Sequence, residues 1–364
     1  MKSSFYLPIL KSKEGEFLAL SKLDFFTRNN ICPLFDLTPI EFDNQSGKKP
    51  KTLEDHLFNF CHRKFSKRWG STNCFIDTHL LNNSEVNGVS CLEYVYGQLG
   101  QGTLIPIVPI PVVRLKPSQL QLQSLISIIS QYNIEELGLR INLEDISSNM
   151  QDKIDLIMKQ LSFDVSNVHL IFDLCDSDFT YVEDFADAIV SILANFPHLQ
   201  KWKSFSICGG AFPPTGQVEK GENYIIRNDW KLYKHIIAKL SPEPYNRPIN
   251  FGDYGVVSPG YFQYDPVKMS RSANIRYTLN ESWFVIKGSA LKNSSDYEQY
   301  VTQAEKITSQ AFFLGEGFSL GDKRLKDCCE GYDTAGSPTV WNWAGNCHHF
   351  TKVVYDLFST PLVA

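Results

Sequence analysis

"LGLRINLEDISSNMQDKIDLIMKQLSFDVSNVHLIFDL", residues 137 to 174, carries the pattern that decides the fold. Two apolar runs, "LGLRINL" (137–143) and "VHLIFDL" (168–174), flank a stretch of helical character, "MQDKIDLIMKQL" (150–161). Neither run alternates strictly between apolar and polar residues. Continuous runs of this kind suit strands covered on both faces of a parallel sheet. Run, helix, run therefore reads as one βαβ unit.

The unit repeats in both directions. Towards the start lie "FYLPIL" (5–10), "ICPLFDL" (31–37), "NCFIDTH" (73–79) and "LIPIVPI" (104–110); towards the end lie "SFSICGG" (204–210) and "PINFGDYG" (248–255). Helical stretches separate them. One of these, "PSQLQLQSLISIISQY", opens with proline at a helix start and sets Leu122, Leu125, Ile126 and Ile129 on one stripe. Strands and helices in strict alternation predict a (β/α)8 barrel of the TIM type over residues 1–257. An open doubly wound sheet is the alternative.

Residues 258–364 break the alternation and read as an appendage packed on the barrel. "IRYTL" (275–279) and "WFVIKG" (283–288) predict a β-hairpin, with Tyr277 and Trp283 meeting across it. A helix at 296–313, a charged Gly-rich loop at 315–339 and a last helix at 347–358 follow. This appendage is a candidate source of the eighth helix of the barrel.

Hydrophobic residues make up 43% and charged residues 21%, the balance of a chain with a sizeable core. The net charge of −5 disfavours non-specific nucleic-acid or membrane-surface binding, and the basic stretch "HRKFSKRWG" (62–70) reads as a solvated helix face. No apolar stretch is long enough to span a bilayer, and the start lacks the pattern of a secretory signal. Nine scattered cysteines without a C-x-x-C suit reduced thiols. A cytoplasmic location is expected.

In such a barrel the site lies where strands end. The strand ends carry Lys11 and Lys13, Asp36, Asp77, Arg140, Asp173, and Asp253 with Tyr254. Several are embedded in apolar runs, and buried charges persist only when paired or coordinated. Asp36, Asp77 and Asp173 are accordingly the candidate catalytic carboxylates. Lys11, Lys13 and Arg140 are the candidate clamp for an anion, joined as ligand contacts by Asp253, Tyr254 and His349 of "GNCHHF" (345–350), which reads as a loop before the last helix. Glu16 is expected to turn back towards the same rim. Alternatives stay open: Asp36 and Asp173 as helix caps, Arg140 as a structural counter-ion. Asp77-Thr78-His79 is an Asp-x-His, but no second ligand motif accompanies it. No metal ligand set and no cofactor are assigned. Gly209-Gly210 allows close backbone approach to a ligand, without the spacing of a dinucleotide fingerprint.

"YLPILKSKEGEFLAL" (6–20) with "PLFDLTP" (33–39), and later "ANIRYT", "WFVIKGS", "FSLGD" and "GSPTVWNWAGNCHHF", resemble blocks of the phage beta protein family across nearly the whole chain. The resemblance implies a phage- or prophage-linked protein associated with defence against competing phages, with partner proteins encoded in the same locus. It supplies no catalytic residues. Two functions are then in play. One is an enzyme performing hydrolytic or acid–base chemistry on a small phosphate-bearing ligand at the barrel mouth. The other is a non-catalytic sensor or interaction subunit of a defence complex. A nucleic-acid substrate is disfavoured by the acidic balance.

Overall fold

The computed structural model describes residues 4–40, 52–70, 72–81, 83–100, 108–240, 248–261 and 270–359. Eight parallel strands close into a barrel: β1 (Leu7–Leu10), β2 (Leu34–Asp36), β3 (Phe75–Asp77), β4 (Ile110–Val113), β5 (Leu137–Ile141), β6 (Val168–Asp173), β7 (Ser204–Cys208) and β8 (Ile249–Asp253). Each strand pairs with its successor, and β8 pairs with β1. The (β/α)8 expectation holds, and the open-sheet alternative falls.

The barrel interior is packed with side chains. Leu7, Ile9, Leu34, Phe75, Val112, Ile171 and Cys208 belong to one buried cluster inside it. Gly138 is glycine for want of room: an added Cβ would lie 3.1 Å from Val112 and 3.2 Å from Phe75. Because side chains alternate along a strand, the residues at positions i+2 from this layer also face inward, one level higher.

Several boundaries differ from the sequence reading. β4 lies at Ile110–Val113, later than the run 104–110; residues 104–107 fall outside the described residues. Pro111, which argues against a strand interior, sits inside β4 paired with Ile76. On the helix Gln119–Tyr132 the buried face is Gln121, Ser124, Leu125 and Ile128, while Ile126 is 46% exposed. The expected stripe was rotated, because Ser124 is held inward by hydrogen bonds to Leu120 O and Glu93.

In the appendage, β9 (Ser272–Thr278) and β10 (Ser282–Ala290) form the predicted hairpin. Tyr277 faces Phe284, and Trp283 faces Thr278. Tyr277 and Trp283 therefore point to opposite sides of the sheet, contrary to expectation. A third strand, Gly221–Ile226, inserted before the helix Asn228–Leu240, pairs antiparallel with β10. The loop 315–339 contains a helix, Leu320–Cys329, capped by Ser319, which accepts from Gly321 N and Asp322 N.

The last helix is longer than predicted, Pro338–Phe358. Ser337 caps it and Pro338 opens it, a start signal that lay in the sequence. "GNCHHF" is thus helix interior. Gly345 is tolerated there because the hairpin comes close: a Cβ would lie 3.1 Å from Arg276 O. This helix packs on Glu14–Ser21, where Gly15 makes room for Asn342, and it fills the eighth helical position. One hydrophobic cluster runs from Tyr6 and Phe17 through Tyr277 to Phe350 and Val354, so barrel and appendage share a core.

Candidate functional site at the barrel mouth

The inward positions above the apolar layer are Lys11, Asp36, Asp77, Arg114, Arg140, Asp173, Gly210 and Tyr254, one from each strand or the residues just after it. They follow Ile9, Leu34, Phe75, Val112, Gly138, Ile171, Cys208 and Gly252 by two residues. Six of the eight carry a formal charge, three of each sign. An ionic tier therefore rests directly on a hydrocarbon one.

Arg140 is its centre. Nη1 donates to Asp36 Oδ1 at 2.6 Å and to Asp77 Oδ2 at 2.9 Å. Nε and Nη2 donate to Asp173 Oδ2 at 3.0 and 2.6 Å, and Nη2 also reaches the Tyr254 hydroxyl at 3.1 Å. Tyr254 in turn donates to Asp173 Oδ2 at 2.7 Å. All five guanidinium donors have partners inside the protein. Arg140 is a counter-ion and cannot clamp an anion while these bonds stand.

The electrostatics follow from that convergence. Burial alone would push the Asp77 carboxyl up, but His79, Arg114 and Arg140 together hold it well below the usual carboxylate range. Asp173 is likewise lowered, burial being outweighed by Arg140 and Tyr254. Burial opposes the charge of Arg140, and Asp36 and Asp173 outweigh it and raise its pKa well above the ordinary value.

Asp36 and Asp77 are register partners on β2 and β3, so their carboxylates stand side by side. His79 follows in the turn His79–Leu81; its backbone N–H donates to Asp77 Oδ1 at 2.9 Å. Its Nδ1 lies 3.3 Å from Asp77 Oδ2 and 3.8 Å from Asp36 Oδ1. One atom from each of Asp36, Asp77 and His79 lies within 4.8 Å of the others. The carboxylate that joins Asp77 and His79 in this group, which the sequence did not reveal, is Asp36 on the neighbouring strand. Arg114 Nη2 donates to Asp77 Oδ2 at 3.1 Å. His79 and Arg114 keep 22% and 25% of their side chains exposed, while Asp36, Asp77, Arg140 and Asp173 are buried.

Lys11 belongs to the tier but is turned away from its carboxylates. Nζ donates to Ser258 O and Gly260 O at 2.6 and 2.5 Å, 5.9 Å from the Tyr254 ring centre. Burial, with Lys13 nearby, lowers its pKa to about 8. Lys13 is half-buried at the start of Glu14–Ser21. Glu16 turns back as expected: its carboxylate accepts from Lys13 N at 2.8 Å, and burial pushes its carboxyl up. Gly210 serves packing, since a Cβ there would lie 2.3 Å from Pro259 and 2.9 Å from Tyr254.

Asp253 and His349 lie elsewhere. Adjacent strand residues face opposite ways, so Tyr254 enters the mouth and Asp253 enters the seam between barrel and last helix. There Asp253 Oδ1 accepts from the Tyr6 hydroxyl at 2.5 Å and Gly255 N at 2.8 Å. His349 Nε2 bonds Asp253 Oδ2 at 2.9 Å, and its Nδ1 pairs with Thr278 Oγ1 at 2.9 Å. Both residues were expected to contact a ligand at the mouth, and the structure keeps them apart from it.

The family model described as Beta protein matches residues 6–355. The chain belongs to the Beta protein family. The resemblance seen in the sequence blocks is borne out over nearly their whole extent. No curated protein matches this Beta protein. Among solved structures it is similar to triosephosphate isomerase from Bartonella henselae, with 11% identity, a TM-score of 0.32, and 68% of this chain and 90% of that one covered. It is similar also to Haloferax volcanii malate synthase as its lead(II) complex, with 9% identity, a TM-score of 0.32, and 97% and 91% covered. Likeness this faint says nothing about activity; the closed strand order establishes the fold. Among the described residues no helix is long and apolar enough to cross a membrane.

Proposed function

We propose that this chain is an enzyme acting at the barrel mouth on a small polar ligand by acid–base or hydrolytic chemistry, with Asp36 as its base. One observation carries the reading. Of the three catalytic candidates, Asp77 and Asp173 have both oxygens engaged. Asp36 bonds Arg140 through Oδ1 only, and its Oδ2 accepts no hydrogen bond among the described residues. A carboxylate fixed by one oxygen and free at the other can take a proton from a bound water or ligand hydroxyl. In hydrolysis that water oxygen would attack the ligand's electrophilic carbon or phosphorus as its proton passes to Asp36; the bond from that atom to the leaving oxygen would break, and the leaving oxygen would take the proton from Asp36.

Asp77 and Asp173 hold Arg140, and Arg140 holds Asp36. The partly exposed Arg114 and Lys13 stand at the rim, where an anionic group such as phosphate would be met. Defence against competing phages, with locus-encoded partners, is the setting we infer from the family resemblance. The test is untargeted mass spectrometry of a small-molecule cell extract incubated with the pure protein. Depletion of a compound by the native chain, lost in folded Asp36→Asn, supports the enzyme. No depletion, or equal depletion by the variant, overturns it in favour of a sensor or interaction subunit.

A further inference from the structure

We infer that the mouth takes a divalent cation of the zinc or manganese class, ligated by Asp36, Asp77 and His79. The inference rests on the mouth being the working site and names what that site binds. Two carboxylates and an imidazole, from two strands and the turn after one of them, offer ligand atoms within 4.8 Å of one another. Mixed oxygen and nitrogen donors suit zinc and manganese better than the soft ions that need thiolate.

The spacing favours coordination over a hydrogen bond. An imidazole donating to a carboxylate settles at about 2.7–2.9 Å. His79 Nδ1 stands 3.3 Å from Asp77 Oδ2 and 3.8 Å from Asp36 Oδ1, is enclosed, and makes no hydrogen bond in the structure. Ligand arms of about 2.0–2.1 Å at tetrahedral angles place donor atoms about 3.4 Å apart. His79 Nδ1 stands near that separation from both carboxylates already. Asp77 Oδ1, by accepting from His79 N, fixes the backbone that carries the ring beside the pair.

Two cations already touch these oxygens, and they differ in kind. Arg140 bridges Asp36 Oδ1 and Asp77 Oδ2 from inside the barrel and orients both, as a partner outside the coordination shell does. Arg114 reaches Asp77 Oδ2 from the rim and is partly exposed, so it can swing into solvent. It competes with the metal for one oxygen. His79 keeps 22% of its side chain exposed, so the group is within reach of an ion from solvent. Asp36 Oδ2 remains available beside it.

The test uses the chelator-stripped full chain, titrated calorimetrically with ZnCl2 and, by electron paramagnetic resonance, with MnCl2. One equivalent of at least one ion should bind. Asp36→Asn and His79→Ala should each weaken binding at least tenfold, with folding checked by circular dichroism. Arg114→Gln should tighten it several-fold, and His198→Ala, a surface histidine paired with Asp155, should change nothing. Binding of neither ion, binding that survives loss of Asp36 or His79, or weaker binding in Arg114→Gln would overturn the inference. These readouts involve no turnover, so the enzyme reading and the metal reading can fail separately.

Discussion

Two buried polar networks lie within a few residues of each other, and they are built differently. The mouth network gathers Asp36, Asp77, Asp173 and Tyr254 on Arg140, with partly exposed His79 and Arg114 at its edge. The seam network links Tyr6, Asp253, His349 and Thr278, all fully enclosed. Beside it, Tyr277 stacks on His348 at 3.9 Å and donates to Asp322 at 2.8 Å. In the seam, both carboxylate oxygens of Asp253 and both nitrogens of His349 have partners. In the mouth, Asp36 Oδ2 and His79 Nδ1 make no hydrogen bond among the described residues. A closed network holds two parts together, whereas one with unmet atoms and exposed members is arranged to exchange with something else.

The largest effect should come from Arg140→Met. Removing the one cation shared by three buried carboxylates leaves charge uncompensated, a loss of about 3–5 kcal/mol. Urea unfolding measures it, and adding Asp173→Asn should recover part of the loss. Full stability in the single variant would mean that Arg140 is not the keystone of the mouth.

His349→Phe should cost less, about 1–3 kcal/mol, by stranding Asp253 Oδ2 and Thr278 Oγ1 without a partner. Metal and ligand binding at the mouth should be unchanged. If it falls together with stability, the two networks are one.

The seam also predicts an acid limb of stability. Burial lowers the pKa of His349 in the folded chain, although Asp253 opposes that. Below about pH 6.5 the unfolded chain binds a proton that the folded chain refuses, so stability falls as pH drops through that point. Asp253 is depressed in the folded chain: burial is outweighed by His349 and Tyr6. Its contribution is present above about pH 4 and is lost below, as pH falls towards the folded value. His349→Phe should flatten thermal stability between pH 5 and 6.5 and, because His349 is the chief offset to the burial of Asp253, also weaken the steeper fall below pH 4. An unchanged slope across pH 5 to 6.5 would place the titration elsewhere.

Much of the barrel was legible because parallel strands buried on both faces write themselves as apolar runs. Asp36, Asp77, Arg140 and Asp173 stood out because they interrupt such runs. Arg114 was missed for a local reason: Pro111 displaced the expected strand, leaving Arg114 beyond its end, though it follows inward Val112 by two. Asp253 and Tyr254 were grouped together where the alternation along a strand separates them. The pairing of Asp36 with Asp77 could not be read from either strand, since lateral register is a property of the sheet. "GNCHHF" looked like a loop because Gly345 reads as a breaker, and only the approach of Arg276 O explains it.

The smallest stability change is expected for Asp36→Asn, because it keeps an oxygen for Arg140 and relieves the like charge of Asp77 beside it. This makes it the direct test of the central claim, that the mouth works and the seam holds. Turnover of the extract compound and urea stability should be measured side by side for the native chain, Asp36→Asn and Tyr6→Phe. Asp36→Asn should keep its stability and lose turnover, while Tyr6→Phe should lose about 1 kcal/mol and keep turnover. Turnover that persists in Asp36→Asn, or that falls in step with stability across both variants, would contradict it.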